Sequence, residues 1–143
     1  MPFHWPLRVY MEDTDPGGIV YYVNYLKFME RARTELLRHC GGSQRALLAA
    51  EILLVVTRAD CRYLSPARLD DELLVEVSLQ RASGVRVCFQ QRIIRRPDAR
   101  LLCEAEVEVA CVRAFDMRPR RWPDRLLEAM QTITGSLPVA EEK

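Results

Sequence analysis

Lysine is nearly absent: Lys27 and Lys143 are the only two, so arginine supplies almost all of the positive charge. Nor does either sign of charge dominate. Lys and Arg total 21 against 20 Asp and Glu, a net charge of +1, which leaves little long-range field for steering onto nucleic acid and excludes a general nucleic-acid binder. No apolar run approaches the roughly 18 residues of a membrane span, and the N-terminal MPFHWPLRVY lacks the basic start and continuous apolar stretch of a secretory signal. The five cysteines contain no CxxC pair, and their odd number argues against a complete intrachain disulfide framework. These absences point to a reducing compartment, and we expect a cytoplasmic protein. Histidine is equally scarce, with His4 and His39 isolated from each other and from any zinc-ligand spacing.

Familiar phosphate and nucleophile devices are missing too. There is no GxGxxG and no GxxxxGK[ST], and Gly42-Ser43 lacks the flanking glycines and preceding strand of a nucleophile elbow. Asp13, Asp15 and Gly18 occupy three positions of a calcium-loop pattern, but Gly17 and Asn24 stand where further ligands are needed. No metal or cofactor is expected.

What is present is an ordinary globular composition, 49% hydrophobic and 29% charged over 143 residues. A chain of that size buries roughly 68–70% of its unfolded surface and needs no covalent staple. One domain over 1–143 is expected, with its core at about 7–125 and a helix and loose tail behind it. Leu7, Val9 and Met11 alternate with polar neighbours, which predicts a first strand ending at Met11. DTDPGG at 13–18 follows as a sharp loop. Tyr25, Phe28, Met29, Ala32 and Leu36 then recur at helical offsets, predicting a long helix over 22–40 that stops at Gly41-Gly42. Ser43 is placed to cap a short helix through 48 or 49. Strands are predicted at 52–63, 73–81, 85–95 and 101–114, and a terminal helix at 124–133. On the last strand Cys103, Ala105, Val107, Val109 and Cys111 alternate with glutamates, the mark of an antiparallel sheet covered on one side. The fold class is therefore α+β: a sheet of about five antiparallel strands whose apolar face the long helix must cover. Regular strands such as 101–114 would pair edge to edge between two copies, so at least a dimer is expected.

Chemistry has one place to sit. In EDTDPGGIVYYVNY the carboxylates of Asp13 and Asp15 lie in a glycine-bearing turn just before a helix N-terminus, where unpaired N–H groups attract negative charge. A carboxylate there can activate water or attack a carbonyl while first-turn N–H groups hold the oxyanion. The same pattern also fits an aspartate that only caps the turn or the helix. For Asp13, capping is the favoured role.

The segment VYMEDTDPGGIVYYVNYLKFMERARTELLR strongly resembles the signature of 4-hydroxybenzoyl-CoA thioesterase-like hotdog proteins, particularly the acyl-CoA thioesterase branch associated with the Tol-Pal envelope system. RYLSPARLDDELLVEV and EAEVEVACVRAFDMRPRRWP resemble later parts of that branch, so the likeness spans about residues 7–125. It implies a hotdog fold, active sites where two subunits meet, and hydrolysis of acyl-CoA to a carboxylic acid and free coenzyme A. It assigns Asp15 as the catalytic carboxylate, either nucleophile or general base, and the Tyr22 N–H as the group that polarises the thioester carbonyl. Where many members of the branch carry a histidine after the tyrosine, this chain has Tyr21-Tyr22, as do relatives acting on aromatic thioesters.

Gly18, Asn24, Tyr25 and Arg68 are the candidate substrate-binding residues. Arg118, Arg120 and Arg121 beside Trp122, like Arg68, have the fork geometry to meet coenzyme A phosphates, although each also suits a solvated surface. The ERARTE run over 30–35 suits charge pairs on a solvated or intersubunit helix face. Acyl-CoA is the expected partner, with acyl-carrier protein as a second candidate and a homodimer or homotetramer as the assembly. The rival reading is a hotdog module that binds acyl-CoA or acyl-carrier protein with little turnover. A hotdog dehydratase would call for a histidine paired with an acid, and neither His4 nor His39 lies in such a motif.

Overall fold

A computed structural model of the protein describes residues 2–135; the expected tail lies outside the described residues. The chain runs β1 (Phe3–Arg8), a 3-10 turn (Met11–Asp13), α1 (Asn24–His39), α2 (Gln44–Ala49), β2 (Ile52–Tyr63), β3 (Glu72–Ala82), β4 (Arg86–Arg96), β5 (Arg100–Arg113) and α3 (Asp124–Thr134). The strands form one antiparallel sheet in the order β1-β3-β4-β5-β2. The α+β hotdog arrangement implied by the resemblance is thus present, with α1 laid across the sheet.

The long helix follows its apolar stripe. Tyr25, Phe28, Met29, Ala32, Leu36 and Leu37 are all buried and pack over β1, β3 and β4. Each of the Phe, Met and Leu side chains contributes roughly 1.5–3 kcal/mol on burial. Under the middle of α1 the core is polar at one point: fully buried Gln91 donates from Nε2 to the Met29 carbonyl at 3.0 Å and accepts from Arg33 at 2.9 Å. Burial lowers the Arg33 guanidinium from its ordinary range. The helix stops where Gly41 takes a left-handed φ of 82°, and Ser43 caps α2 by accepting from the Ala46 N–H at 3.1 Å.

Two expectations need correction. The first strand begins at Phe3, four residues earlier than the alternation from Leu7 suggests, and ends at Arg8, three residues before the expected Met11. Pro6 is tolerated because β1 is an edge strand, and Tyr10 leaves the ladder because its N–H donates to Asp13 Oδ2 at 2.9 Å. The second concerns the edges: β5 lies between β4 and β2, so the strand expected to offer a free edge has none. The free edges are β1 and β2.

β2 also carries a bulge. Its register with β5 slips between Val56 and Arg58, where Thr57 Oγ1 donates to Glu108 Oε2 at 2.7 Å. The slip exchanges the faces of β2. Leu54 packs toward the core before it and Cys61 after it, while Arg62 pairs with Glu104 on the outer face at 4.0 Å.

Candidate active site

The site begins where β1 ends. Asp13 is only 7% exposed. Its Oδ2 accepts from Tyr10, and its carbonyl accepts from the Tyr21 N–H at 3.1 Å and from Asn24 Nδ2 at 2.9 Å. All these partners are structural. The chain then doubles back: Thr14 pairs with Val20, the Asp15 N–H donates to the Ile19 carbonyl at 2.9 Å, and the Gly18 N–H donates to the Asp15 carbonyl at 2.9 Å. Gly18 closes this loop with φ of 81°, a left-handed conformation that side chains resist. Asp15 is left half-buried in the turn. One carboxylate oxygen, Oδ1, accepts from the Gly17 N–H at 2.9 Å, whereas Oδ2 has no hydrogen-bond partner among the described residues.

The start of the long helix supplies donors. Asn24 N–H bonds to the Tyr21 carbonyl at 2.8 Å and Tyr25 N–H to that of Tyr22 at 3.3 Å. Among the described residues, the N–H groups of Tyr22 and Val23 have no protein acceptor. They stand at the positive end of the helix macrodipole. A carboxylate with one free oxygen and a pair of open N–H donors therefore bracket the same turn, the combination that acyl transfer requires.

The loop after β2 forms the neighbouring wall. Val20 N–H donates to the Ala67 carbonyl at 2.9 Å, Ile19 pairs with Arg68, and Leu69 N–H reaches the Gly18 carbonyl at 3.3 Å. Arg68 is exposed and stands beside Gly18, as a contact to the negative part of a ligand requires. Tyr25 ties this loop to the helix, its hydroxyl accepting from the Ala67 N–H at 2.9 Å. Burial raises the Tyr25 phenol above its ordinary range, against the opposing effect of that N–H.

Several expected contacts take other roles. Tyr25 is 3% exposed and belongs to the core, so it does not line an open acyl pocket. Asn24 uses its amide N–H to hold the helix start to Asp13. Arg118, Arg120 and Arg121 are not brought to the Asp15 turn: Trp122 beside them is buried, with Nε1 donating to the Val85 carbonyl at 2.9 Å. That end of the sheet, where Arg86 pairs with Ala110, is seven residues along β5 from Cys103, the partner of Tyr63. At roughly 3.3 Å per residue the separation is about 20 Å.

One residue of the site was not singled out in the sequence. Tyr63, the last residue of β2, sets its ring edge-on to Tyr22 at 5.8 Å and lies 5.6 Å from Tyr25, and Tyr21 stands 5.2 Å from Tyr22. Tyr21, Tyr22 and Tyr63 remain 49%, 58% and 44% exposed, an open aromatic rim beside the free N–H groups. The only sequence signal for Tyr63 was its place in the RYLSPARLDD segment.

Comparison with known proteins agrees with the fold. Residues 9–130 match the Thioesterase-like superfamily. The chain is 46% identical over 125 residues to the acyl-CoA thioester hydrolase YbgC of Escherichia coli O6:H1, covering 87% of this chain and 92% of that protein. With the acyl-CoA thioesterase YbgC of Haemophilus influenzae it shares 42% identity over 132 residues, 92% of this chain and 96% of the relative. Among solved structures, the 1,4-dihydroxy-2-naphthoyl-CoA thioesterase Slr0204 of Synechocystis superposes with a TM-score of 0.84 at 25% identity, over 91% of this chain and 96% of that one. By sequence across most of its length, and by a sheet and helix that superpose on a solved hotdog thioesterase, the chain belongs to the Thioesterase-like superfamily.

Proposed function

We propose that this enzyme hydrolyses acyl-CoA thioesters through the Asp15 carboxylate and the Tyr22 N–H. The observation that carries the reading is the free Oδ2 of Asp15 in the turn that leads to two open helix-start N–H donors. The thioester carbonyl accepts from Tyr22, and negative charge gathers on its oxygen as the carbon becomes tetrahedral. A donor aimed at that oxygen is worth about 2.7–4 kcal/mol in a sheltered site. Asp15 acts as nucleophile or as general base for water. As nucleophile it forms a mixed anhydride that water then hydrolyses, and as base it takes a proton from the attacking water; in both routes the C–S bond breaks, coenzyme A leaves as thiolate and takes up a proton, and the carboxylic acid is released. Neither route needs a metal or cofactor. Tyr22 and Tyr63 border the acyl end, and Gly18 and Arg68 the approach beside the turn.

The chain acts as one domain and as a homo-oligomer. β2 supports this, because its outer edge has no strand partner among the described residues, and its Val56 and Tyr63 and the following Leu64 are 47%, 44% and 49% exposed. A second copy paired along β2 continues the sheet and brings its own chain to the aromatic rim. Acyl-carrier protein is a second carrier of the same thioester. Five free cysteines support a reducing, cytoplasmic setting.

The test is release of free thiol from a panel of short, long and aromatic acyl-CoAs. Turnover of at least one class supports the reading. Tight binding of acyl-CoA without thiol release on any member contradicts it in favour of a binding module.

A further inference from the structure

Two cysteines of this chain sit sulfur to sulfur and are not used by hydrolysis. Cys61 on β2 and Cys103 on β5 are diagonal neighbours, since Tyr63 pairs with Cys103 and Cys61 with Ala105. Their Sγ atoms are 3.2 Å apart. The other three cysteines have no sulfur neighbour: Cys88 Sγ donates to Gln80 Oε1 at 3.2 Å, Cys111 Sγ faces the Arg121 carbonyl at 3.8 Å, and Cys40 lies at the end of α1. We propose that Cys61 and Cys103 are a redox-active dithiol that hydrogen peroxide or an organic hydroperoxide converts to an intrachain disulfide.

The two sulfurs are suited to different steps. Cys61 is half-buried on the edge strand, beside the exposed Tyr63, so a small oxidant can reach it; Cys103 is fully buried. Side chains stand perpendicular to the sheet, so pairing along the β2 edge leaves the Cys61 sulfur facing the site. Hydrogen bonds from Cys103 and from Tyr63 stabilise the Cys61 thiolate and bring its pKa down to about 7, against the opposing effect of burial. Cys103 is pushed up, first by its bond to Cys61 and then by burial. Burial likewise raises Cys40, Cys88 and Cys111. The thiolate is the nucleophile, so Cys61 attacks first.

The Cys61 thiolate attacks one peroxide oxygen, the O–O bond breaks, and the protein holds a sulfenic acid while water or an alcohol departs. The Cys103 sulfur then attacks the sulfenic sulfur. An S–S bond forms, hydroxide leaves, and the Cys103 proton converts it to water. The two thiols are oxidised by two electrons and the peroxide is reduced by two. The sulfurs must close from 3.2 Å to roughly 2.05 Å, a movement of about 1 Å. Closure takes Cys61 from the Tyr63 hydroxyl, whose ring stands against Tyr22.

Peroxide titration of the folded, reduced, full-length protein tests this without reference to hydrolysis. The free-thiol count should fall from five to three, with dithiothreitol restoring it. Tryptic mapping should join residues 59–62 to 101–113, with fragmentation placing the link at Cys103 and not at Cys111. Cys61→Ala should keep its four remaining thiols under the same titration. Cys103→Ala should stop at a sulfenic acid on Cys61 that dimedone traps; if the buried substitution prevents folding, Cys61→Ala and the peptide map decide alone. Thiols that resist peroxide, a link through another cysteine, or a disulfide between two chains would overturn the proposal.

Discussion

Asp13 and Asp15 are chemically identical and two residues apart, yet the turn gives them opposite work. Asp13 is buried, its Oδ2 accepting from Tyr10 and its backbone carbonyl from Tyr21 and Asn24, while Asp15 stands half-buried with Oδ2 open to a ligand. Replacing Asp13 by Ala is therefore expected to lower stability by about 1–3 kcal/mol, since it leaves the part-buried Tyr10 N–H unpaired, as measured by urea unfolding. The sequence could pair the two carboxylates with a helix start, but it could not divide the roles between them. That division depends on how deeply the folded turn buries each carboxylate. Tyr25 illustrates the same point, because its helical spacing foretold burial but not the bond to Ala67, forty-two positions away. Tyr25→Phe should cost about 1–3 kcal/mol by stranding the Ala67 N–H. Its pH dependence has a definite sign. The folded phenol titrates above its ordinary 10.0, so the stability it contributes is whole below about pH 10 and is lost as pH rises through the folded value. Alkaline unfolding of the wild type should show that loss, and Tyr25→Phe should show less of it.

At the scale of elements, local signals and their limits separate cleanly. β2, α2 and α3 were legible because Ser43, the strand-forming run after Glu51 and the amphipathic stripe after Pro123 are self-contained. β1 was misplaced because the alternation at Leu7, Val9 and Met11 continues into residues whose hydrogen bonds go to the turn and to the loop after β2. Two glycines show how element ends and site differ. Gly18 and Gly41 both hold positive φ, and a Cβ at either meets nothing within 4 Å. Alanine at each should therefore cost about 1–2 kcal/mol of conformational energy alone. Gly18→Ala should also reduce kcat, because it disturbs the loop that holds Asp15, whereas Gly41→Ala should leave kcat unchanged. Parallel denaturation and steady-state kinetics on the two variants check both statements.

For the whole molecule, fold class was readable and assembly only half so. The count and polarity of strands gave an α+β sheet with one covered face, yet strand order decides which edges are open, and β5 proved interior while β2 did not. Contacts between distant segments, such as Tyr22 with Tyr63 and Ile19 with Arg68, exist only once that order is set. Pairing of two copies along β2 predicts a dimer or larger assembly by sedimentation at micromolar concentration. Val56→Lys, placing charge on the open edge strand, should shift it toward monomer and lower turnover together. An active wild-type monomer would contradict the shared-site arrangement.

The most direct measurement compares Asp15→Asn with wild type in thioester hydrolysis, alongside equilibrium binding of a non-hydrolysable acyl-CoA analogue. Loss of the carboxylate's chemistry should lower kcat by about 10²–10⁴-fold with folding and binding retained. A variant that binds the analogue and hydrolyses at the wild-type rate would reduce Asp15 to a turn residue and contradict the account.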